Sequence, residues 1–410
     1  MSKKNAIILI LAVFIGSLGA LVWFYFNNNK PQSSVMPVIN TDVYDPFGTV
    51  GLNTGQNIKT EEKVATTSEQ SPATVNNLRQ ISIDPIAGYG LLKNKDGQNV
   101  THYILRATGN IYEGYTESTE TKRLSNTTIP KIYNSVWLAD GQKLILQYLK
   151  ENNEDIVSFS VKINPATSTT NEFEGGVDGV FLPEDIKALA VNPASDKIIF
   201  ESVNLNGSSF YVSKTNGLDK KVIFESPLTE WLISWPKADT VTLTTKPAGN
   251  VPGFMYFLNV NSGLINKIIG GINGLTSQTN SRADLVLYSD SSKGAPRLYL
   301  YNLKRGESKL LPWNTLPEKC VFGSDDNIYC AVPKTLENEI YPDAWYQGLV
   351  SFSDNIWSYN IEKGNTTLIS DLEKNSRQKI DATDLKLTSD GSYLFFNNKN
   401  DLTLWTIKLK

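Results

Sequence analysis

Seven times between Lys95 and Ser392 the chain repeats one short pattern: an apolar run, a polar turn centred on aspartate, and a second apolar run. The turns read KDGQ (Asp96), LADGQKLIL (Asp140), NPASDKIIF (Asp196), PKADTVTL (Asp239), SRADLVLY (Asp284), GSDDNIYC (Asp326) and TSDGSYLFF (Asp390). Successive aspartates lie 44, 56, 43, 45, 42 and 64 residues apart, and four of these six intervals fall within two residues of 44. A period of about 40–45 residues is that of a propeller blade. A second marker keeps the same step: the glycines of SKTNG, NVNSG, YNLKRG and YNIEKG (Gly217, Gly263, Gly306, Gly364), each followed by a last short run such as KKVIFES or TTLISD. Glycine suits the left-handed position of a hairpin turn.

Each unit therefore predicts four short strands rich in Val, Ile, Leu, Tyr and Phe, with no long amphipathic helix between them. A four-stranded antiparallel unit cannot bury both of its faces alone, so the units must stack around an axis. The expectation is an all-β fold: a seven-bladed β-propeller of four-stranded antiparallel blades over residues 78–410. The seventh unit supplies three strands, at 383–388, 392–397 and 402–410, while 78–83 precedes the first strand of unit one. Pairing these two ends closes the ring and removes exposed edges.

The turns resemble the hhxS-P-D-G-K-hhh repeat of TolB-type and WD40-like propellers, often called PD40. Ser389-Asp390-Gly391 and Ala139-Asp140-Gly141 come nearest, and the other five units depart from it. The resemblance implies the repeat architecture of residues 78–410 and no functional site. The stretch from Cys330 to Trp357, CAVPK through YPDAWYQGLVSFSDNIW, also resembles a block in uncharacterised membrane-anchored propeller proteins of small-genome bacteria, and it implies no activity.

Ahead of the repeat, Ala6 to Phe26 is a run of 21 uncharged residues. At ~1.5 Å per residue it spans a hydrocarbon core of ~30 Å. Trp23, Phe24, Tyr25 and Phe26 place aromatic rings at its far end, where a bilayer interface holds them. Lys3, Lys4 and the amino terminus precede the run and only Lys30 follows closely, so the positive-inside bias keeps the N-terminus cytoplasmic and sends the propeller outside. The domain reading is a cytoplasmic tip and transmembrane signal-anchor helix (1–27), a flexible extracytoplasmic linker (28–77) and the propeller (78–410). A cleaved signal peptide using Ser17, Gly19 or Ala20 is the competing reading; against it, bulky apolar residues continue beyond those positions. The linker is rich in Ser, Thr, Asn, Gln, Pro and Gly, apart from an apolar and aromatic island from Val35 to Gly48.

A net charge of −3 without a Lys/Arg block argues against nucleic acid as a partner. Two cysteines and one histidine preclude a Cys/His zinc site of ordinary ligand count, so no metal site is expected unless oxygen ligands build it. There is no G-x-S-x-G elbow, P-loop, G-x-G-x-x-G after a strand, EF-hand loop or HExxH, so no catalytic residue is assigned and no cofactor is expected. His102, alone on a predicted strand, makes neither a triad nor a ligand set.

The two long intervals mark insertions, expected as loops on one face, where propellers bind. The smaller, 164–184, reads as a mobile polar loop. The larger, from Lys334 to Asp354, falls between the second and third strands of unit six and carries the candidate binding residues Tyr341, Asp343, Trp345, Tyr346 and Phe352. Aromatic anchors with a few polar groups are the substance of interface hot spots. Two readings stand here: direct contact with a partner, or Trp345 and Tyr346 folding back as a satellite core that caps the ring. Cys320 and Cys330 flank the turn of CVFGSDDNIYC, where they either form a cross-strand disulfide or remain buried thiols. The expected function is a membrane-anchored extracytoplasmic binding or scaffold module for a protein, peptide or glycan partner of the cell envelope. The rival is a glycan hydrolase or lyase working through carboxylates in the central funnel.

Overall fold

The computed structural model describes residues 77–150, 155–164, 175–184, 186–323 and 326–410. Seven four-stranded antiparallel sheets form the blades: 86–123, 132–181, 186–226, 231–273, 277–314, 320–371, and 382–408 joined by 78–80. Sequential strands are neighbours in every blade. The first strands of adjacent blades pack on one another, as in blades 1 and 2 and blades 3 and 4, and so line the axis.

The second strand of a blade is its most buried: Leu144 to Leu146, Ile198 to Phe200, Leu285 to Tyr288 and Leu394 to Phe396 are each continuous buried runs. Both faces of such a strand meet a neighbouring blade, so period-2 alternation gives way to an unbroken apolar run. Buried side chains gather into one cluster per blade interface, seven in all, from Phe395 against Ile86 and Tyr103 (blades 7 and 1) to Trp231 against Phe210 (blades 3 and 4). At about 1.5–3 kcal/mol per fully buried large apolar side chain, these interfaces dominate the stability.

The ring closes as the sequence leads one to expect. Leu78, Arg79 and Gln80 pair with Ile407, Thr406 and Trp405, so the first described strand is the outermost strand of the last blade. The second marker also holds its place: Gly217, Gly263, Gly306 and Gly364 turn between third and fourth strands with φ of 82°, 73°, 65° and 70°.

The aspartate marker needs correction. Gly141, Ser195, Ala283 and Gly391 occupy one shared left-handed turn position, φ 55–66°. In blades 2 and 7 the aspartate precedes it, and Oδ1 of Asp140 and Asp390 accepts the N–H of Gln142 (2.9 Å) and Ser392 (3.0 Å). In blades 3 and 5 the aspartate follows it, and Oδ1 of Asn192 and Asn280 accepts instead, from Lys197 (2.9 Å) and Leu285 (3.1 Å). The turn needs an acceptor for its inward N–H groups, and two different positions can supply one.

The insertions also depart from expectation, because they leave opposite faces. Loops between second and third strands, together with the blade-to-blade connections, form what is here called the upper face; the aspartate and glycine turns form the lower. The Lys334 to Asp354 insertion is an upper loop, whereas that of blade 2 joins third to fourth strand and is a lower one. Within 164–184 the segment Gly176–Phe181 is not loop but the outermost strand of blade 2, paired from Asn164↔Gly176 to Phe159↔Phe181, and 165–174 lie outside the described residues. Among the described residues no helix is long and apolar enough to cross a membrane, and the 6–26 run and the linker lie outside them.

Candidate binding cleft

Leaving its second strand at Pro333, blade 6 sends the insertion across the upper face, where Asp343–Tyr346 forms one helical turn, α1. Tyr341, Ala344, Trp345, Val350 and Phe352 fold inward with Leu316 into an eighth cluster, distinct from the seven blade interfaces. The rings of Trp345 and Phe352 stack with centroids 6.3 Å apart. Three of the five candidate binding residues are thereby removed from solvent: Tyr341, Trp345 and Phe352 are buried and form the core of a cap. Tyr346 remains 43% exposed and Asp343 half-buried.

Two anchors hold the cap. Asp343 Oδ2 accepts the Gly249 N–H at 2.5 Å, tying α1 to the upper loop of blade 4. Only glycine fits there, since a Cβ on Gly249 would lie 2.5 Å from the Tyr341 carbonyl oxygen and 2.6 Å from Ile340 Cγ2. The second anchor is ionic and fully buried. Lys319, in the 3₁₀ turn Pro317–Lys319 that enters blade 6, places Nζ 2.8 Å from Asp354 Oδ2, on Asp381 Oδ1, and 2.9 Å from the Ala382 carbonyl oxygen. Asp381 Oδ2 in turn accepts the Trp345 Nε1–H (2.9 Å) and the Phe352 N–H (3.0 Å). Burial works against the charge on Lys319, but Asp354 and Asp381 outweigh it and hold the ammonium above its usual range. Burial raises Asp354 to about 6, with Lys319 pulling the other way and Asp381 adding to the rise.

Between this cap and blades 3 and 4 an open cleft of about 770 Å³ remains. Tyr346 and Gln347 form one lip and the exposed Glu230–Lys246 pair the other, while Val203, Leu232 and Pro247 supply apolar wall. Glu201 and Trp231 also line it and are themselves buried, with Glu201 only 1% exposed. Glu201 lies on the second strand of blade 3, on the side shared with Ile199 and Val203 that faces blade 4. Oε1 accepts the Ser208 hydroxyl hydrogen bond, and among the described residues no Lys, Arg or His forms an ion pair with it. Burial raises its pKa, and the Ser208 hydroxyl and the Trp231 backbone only partly offset that. Behind α1 the Tyr346 hydroxyl donates to Glu318 Oε1, and Thr276 Oγ1 donates to Oε2 at 2.9 Å; burial raises Glu318 too.

Blades 3, 4 and 6, which bound the cleft, carry exposed apolar residues on their upper loops and connections: Leu205, Leu228, Val251, Ile340 and Leu349. All five belong to upper-face loops, whereas the lower-face loops contribute Leu218 and Leu264. Cys320 and Cys330 face each other in register and are joined in a disulfide inside the interface of blades 5 and 6, away from the cleft. His102 sits at blade 1 with Nδ1 2.6 Å from the Gly141 carbonyl oxygen and Nε2 3.0 Å from Glu113 Oε2. Among the described residues no group of three or more His, Cys, Asp or Glu is arranged to hold a metal ion.

Sequence reasoning passed over Lys319 and Glu201. Lys319 carries no local signal, because its partners lie 35 and 62 residues further along the chain. Glu201 does carry one: in KIIFESVN an acid stands where alternation with Ile199 and Val203 demands an apolar residue.

No protein-family model matches the sequence, and no curated protein matches it. Solved structures do resemble the chain. The tricorn protease structure superposes with a TM-score of 0.50 at 11% identity, over 83% of this chain and 34% of that one. An oligogalacturonate lyase in complex with manganese reaches 0.49 at 11% identity, over 81% and 98%. TolB from Acinetobacter baumannii reaches 0.40 at 10% identity, over 78% of each. At such identities likeness extends to the fold and not to the site: the chain is a seven-bladed β-propeller.

Proposed function

We propose that this protein is a binding module, anchored in the cell membrane through the 6–26 run, which holds a protein or peptide partner outside the cytoplasm on the upper face of its propeller. The observation that carries this reading is the one-sided placement of exposed apolar loop residues on the blades that bound a cleft roofed by α1. Apolar side chains that stay solvated around a concave, partly polar floor are what an interface core needs. A funnel enzyme requires carboxylates open to substrate, but Asp354 and Asp381, the pair brought together under the cap, are both clasped by Lys319 and fully buried.

Photo-crosslinking in intact cells tests the sidedness. A benzoylphenylalanine at Leu349, 71% exposed on the upper face, is expected to yield a discrete adduct, and one at Leu264, 66% exposed on the lower face, is not. Adducts at Leu264 without any at Leu349 overturn the proposal. Trp345→Ala is unsuitable as a contact probe, because Trp345 belongs to the cap's own core.

A further inference from the structure

Resting on that reading, we infer that the cleft over blades 3 and 4 recognises a basic side chain, Arg or Lys, projecting from the partner polypeptide, with Glu201 as its counter-ion. The argument begins with what the free protein leaves undone. Glu201 is an acid in an apolar blade interface, closed off except where it lines the cleft, and its side-chain partner is a neutral hydroxyl. A buried carboxylate with no cation is costly, and the deficit is removed when a cation reaches it. Charged groups around it do not fill that role: Lys246 is 2.5 Å from Glu230 at the lip, Asp343 is on the Gly249 N–H, and Lys187, exposed at the rim, acts on Glu201 only at a distance, weaker than burial, and forms no ion pair with it.

Shape narrows the choice of cation. Val203, Leu232, Pro247 and the Tyr346 ring form a largely apolar passage between the lip and the acid. Such a passage suits the methylene stem of Arg or Lys, which packs on apolar surface while its charged end seeks a partner. An anion would meet Glu201 and Glu230, and a neutral sugar would leave the buried acid unpaired. The exposed Leu205, Leu228, Val251, Ile340 and Leu349 then receive the apolar neighbours of the basic anchor, so the occupant is a peptide segment rather than a free amine.

The test uses the full-length chain purified in mild detergent and a displayed library of twelve-residue peptides. Selected binders are resynthesised with each Arg replaced by citrulline or each Lys by glutamine, and measured against wild type, Glu201→Gln and Glu201→Asp by fluorescence anisotropy. The expected result is at least a tenfold loss on neutralising one basic residue, the same loss with Glu201→Gln, and no further loss when the two changes are combined. Glu201→Asp, which keeps the charge on a shorter stem, should fall between. Binders that compete with crosslinking at Leu349 but contain no essential basic residue, or that bind Glu201→Gln unchanged, overturn the inference and leave the upper-face reading standing. Binders that map only to the lower face overturn both. Near-ultraviolet circular dichroism of Glu201→Gln, expected to match wild type, separates lost recognition from lost folding.

Discussion

Two buried acidic sites lie beneath the same face of this propeller, and they differ in what neutralises them. Under the cap of blades 6 and 7, Asp354 and Asp381 close on Lys319, and the assembly is sealed by Trp345 and Phe352. Over blades 3 and 4, Glu201 has a hydroxyl, a tryptophan wall and an opening. In a buried site charge and geometry have to be satisfied together: where the protein supplies both, the group holds the fold, and where it supplies only the geometry, the remainder is available to a ligand. The cap is a locked structure beside an open cleft, and its helical turn serves both, with Trp345 facing the latch and Tyr346 the cleft.

The contrast can be broken most easily at its strongest point. Lys319→Met leaves two carboxylates buried without a cation and is expected to destabilise the propeller by roughly 3–5 kcal/mol, read from denaturant midpoints at pH 7.5. A change below about 1 kcal/mol would mean the cluster is not the latch it looks to be. A second test sharpens the same site through pH. Asp354 titrates at about 6 in the folded chain and at 3.8 in the reference state, so the folded protein binds this proton more tightly. Its contribution to stability therefore grows as pH falls through 6, is complete below 3.8, and is lost as pH rises again. At 1.36 kcal/mol per unit the wild-type stability, taken relative to Asp354→Asn, should gain roughly 2 kcal/mol between pH 7 and pH 4. A flat difference across that window contradicts it. The smallest effect is expected in the open site: Glu201→Gln keeps an acceptor for Ser208 and removes an unpaired buried charge, so stability should stay level or rise by up to about 1 kcal/mol. A loss above about 2 kcal/mol would make Glu201 a structural group like Lys319, and the distinction between the two sites would collapse.

Much of the fold is written in local chemistry. The seven turns, the glycines at third-to-fourth hairpins and the spare strand at Leu78 are each legible within a dozen residues, because a hairpin is specified by its own turn and flanking strands. The aspartate register slipped between blades for the same local reason: an acceptor at Asn192 or Asn280 does the work of Asp140. Local pattern also misread part of 164–184, where the glycine-containing Gly176–Phe181 is backbone-paired to Phe159 through Asn164 despite its loop-like composition. Pairing partners stabilise a strand that intrinsic preference does not.

The candidate site was legible only in outline. That something aromatic and acidic stands at Tyr341 to Phe352 is plain from the chain, but which rings turn inward is not, since Trp345 chooses Asp381 and Phe352 over solvent through contacts 36 and 7 residues away. By itself the sequence determined the repeat, the blade count and the position of the insertion, because hydrophobic period and turn chemistry act between near neighbours. Tertiary structure alone decided which carboxylates found a cation and which did not, because electrostatic pairing depends on distances between blades that only the closed ring sets.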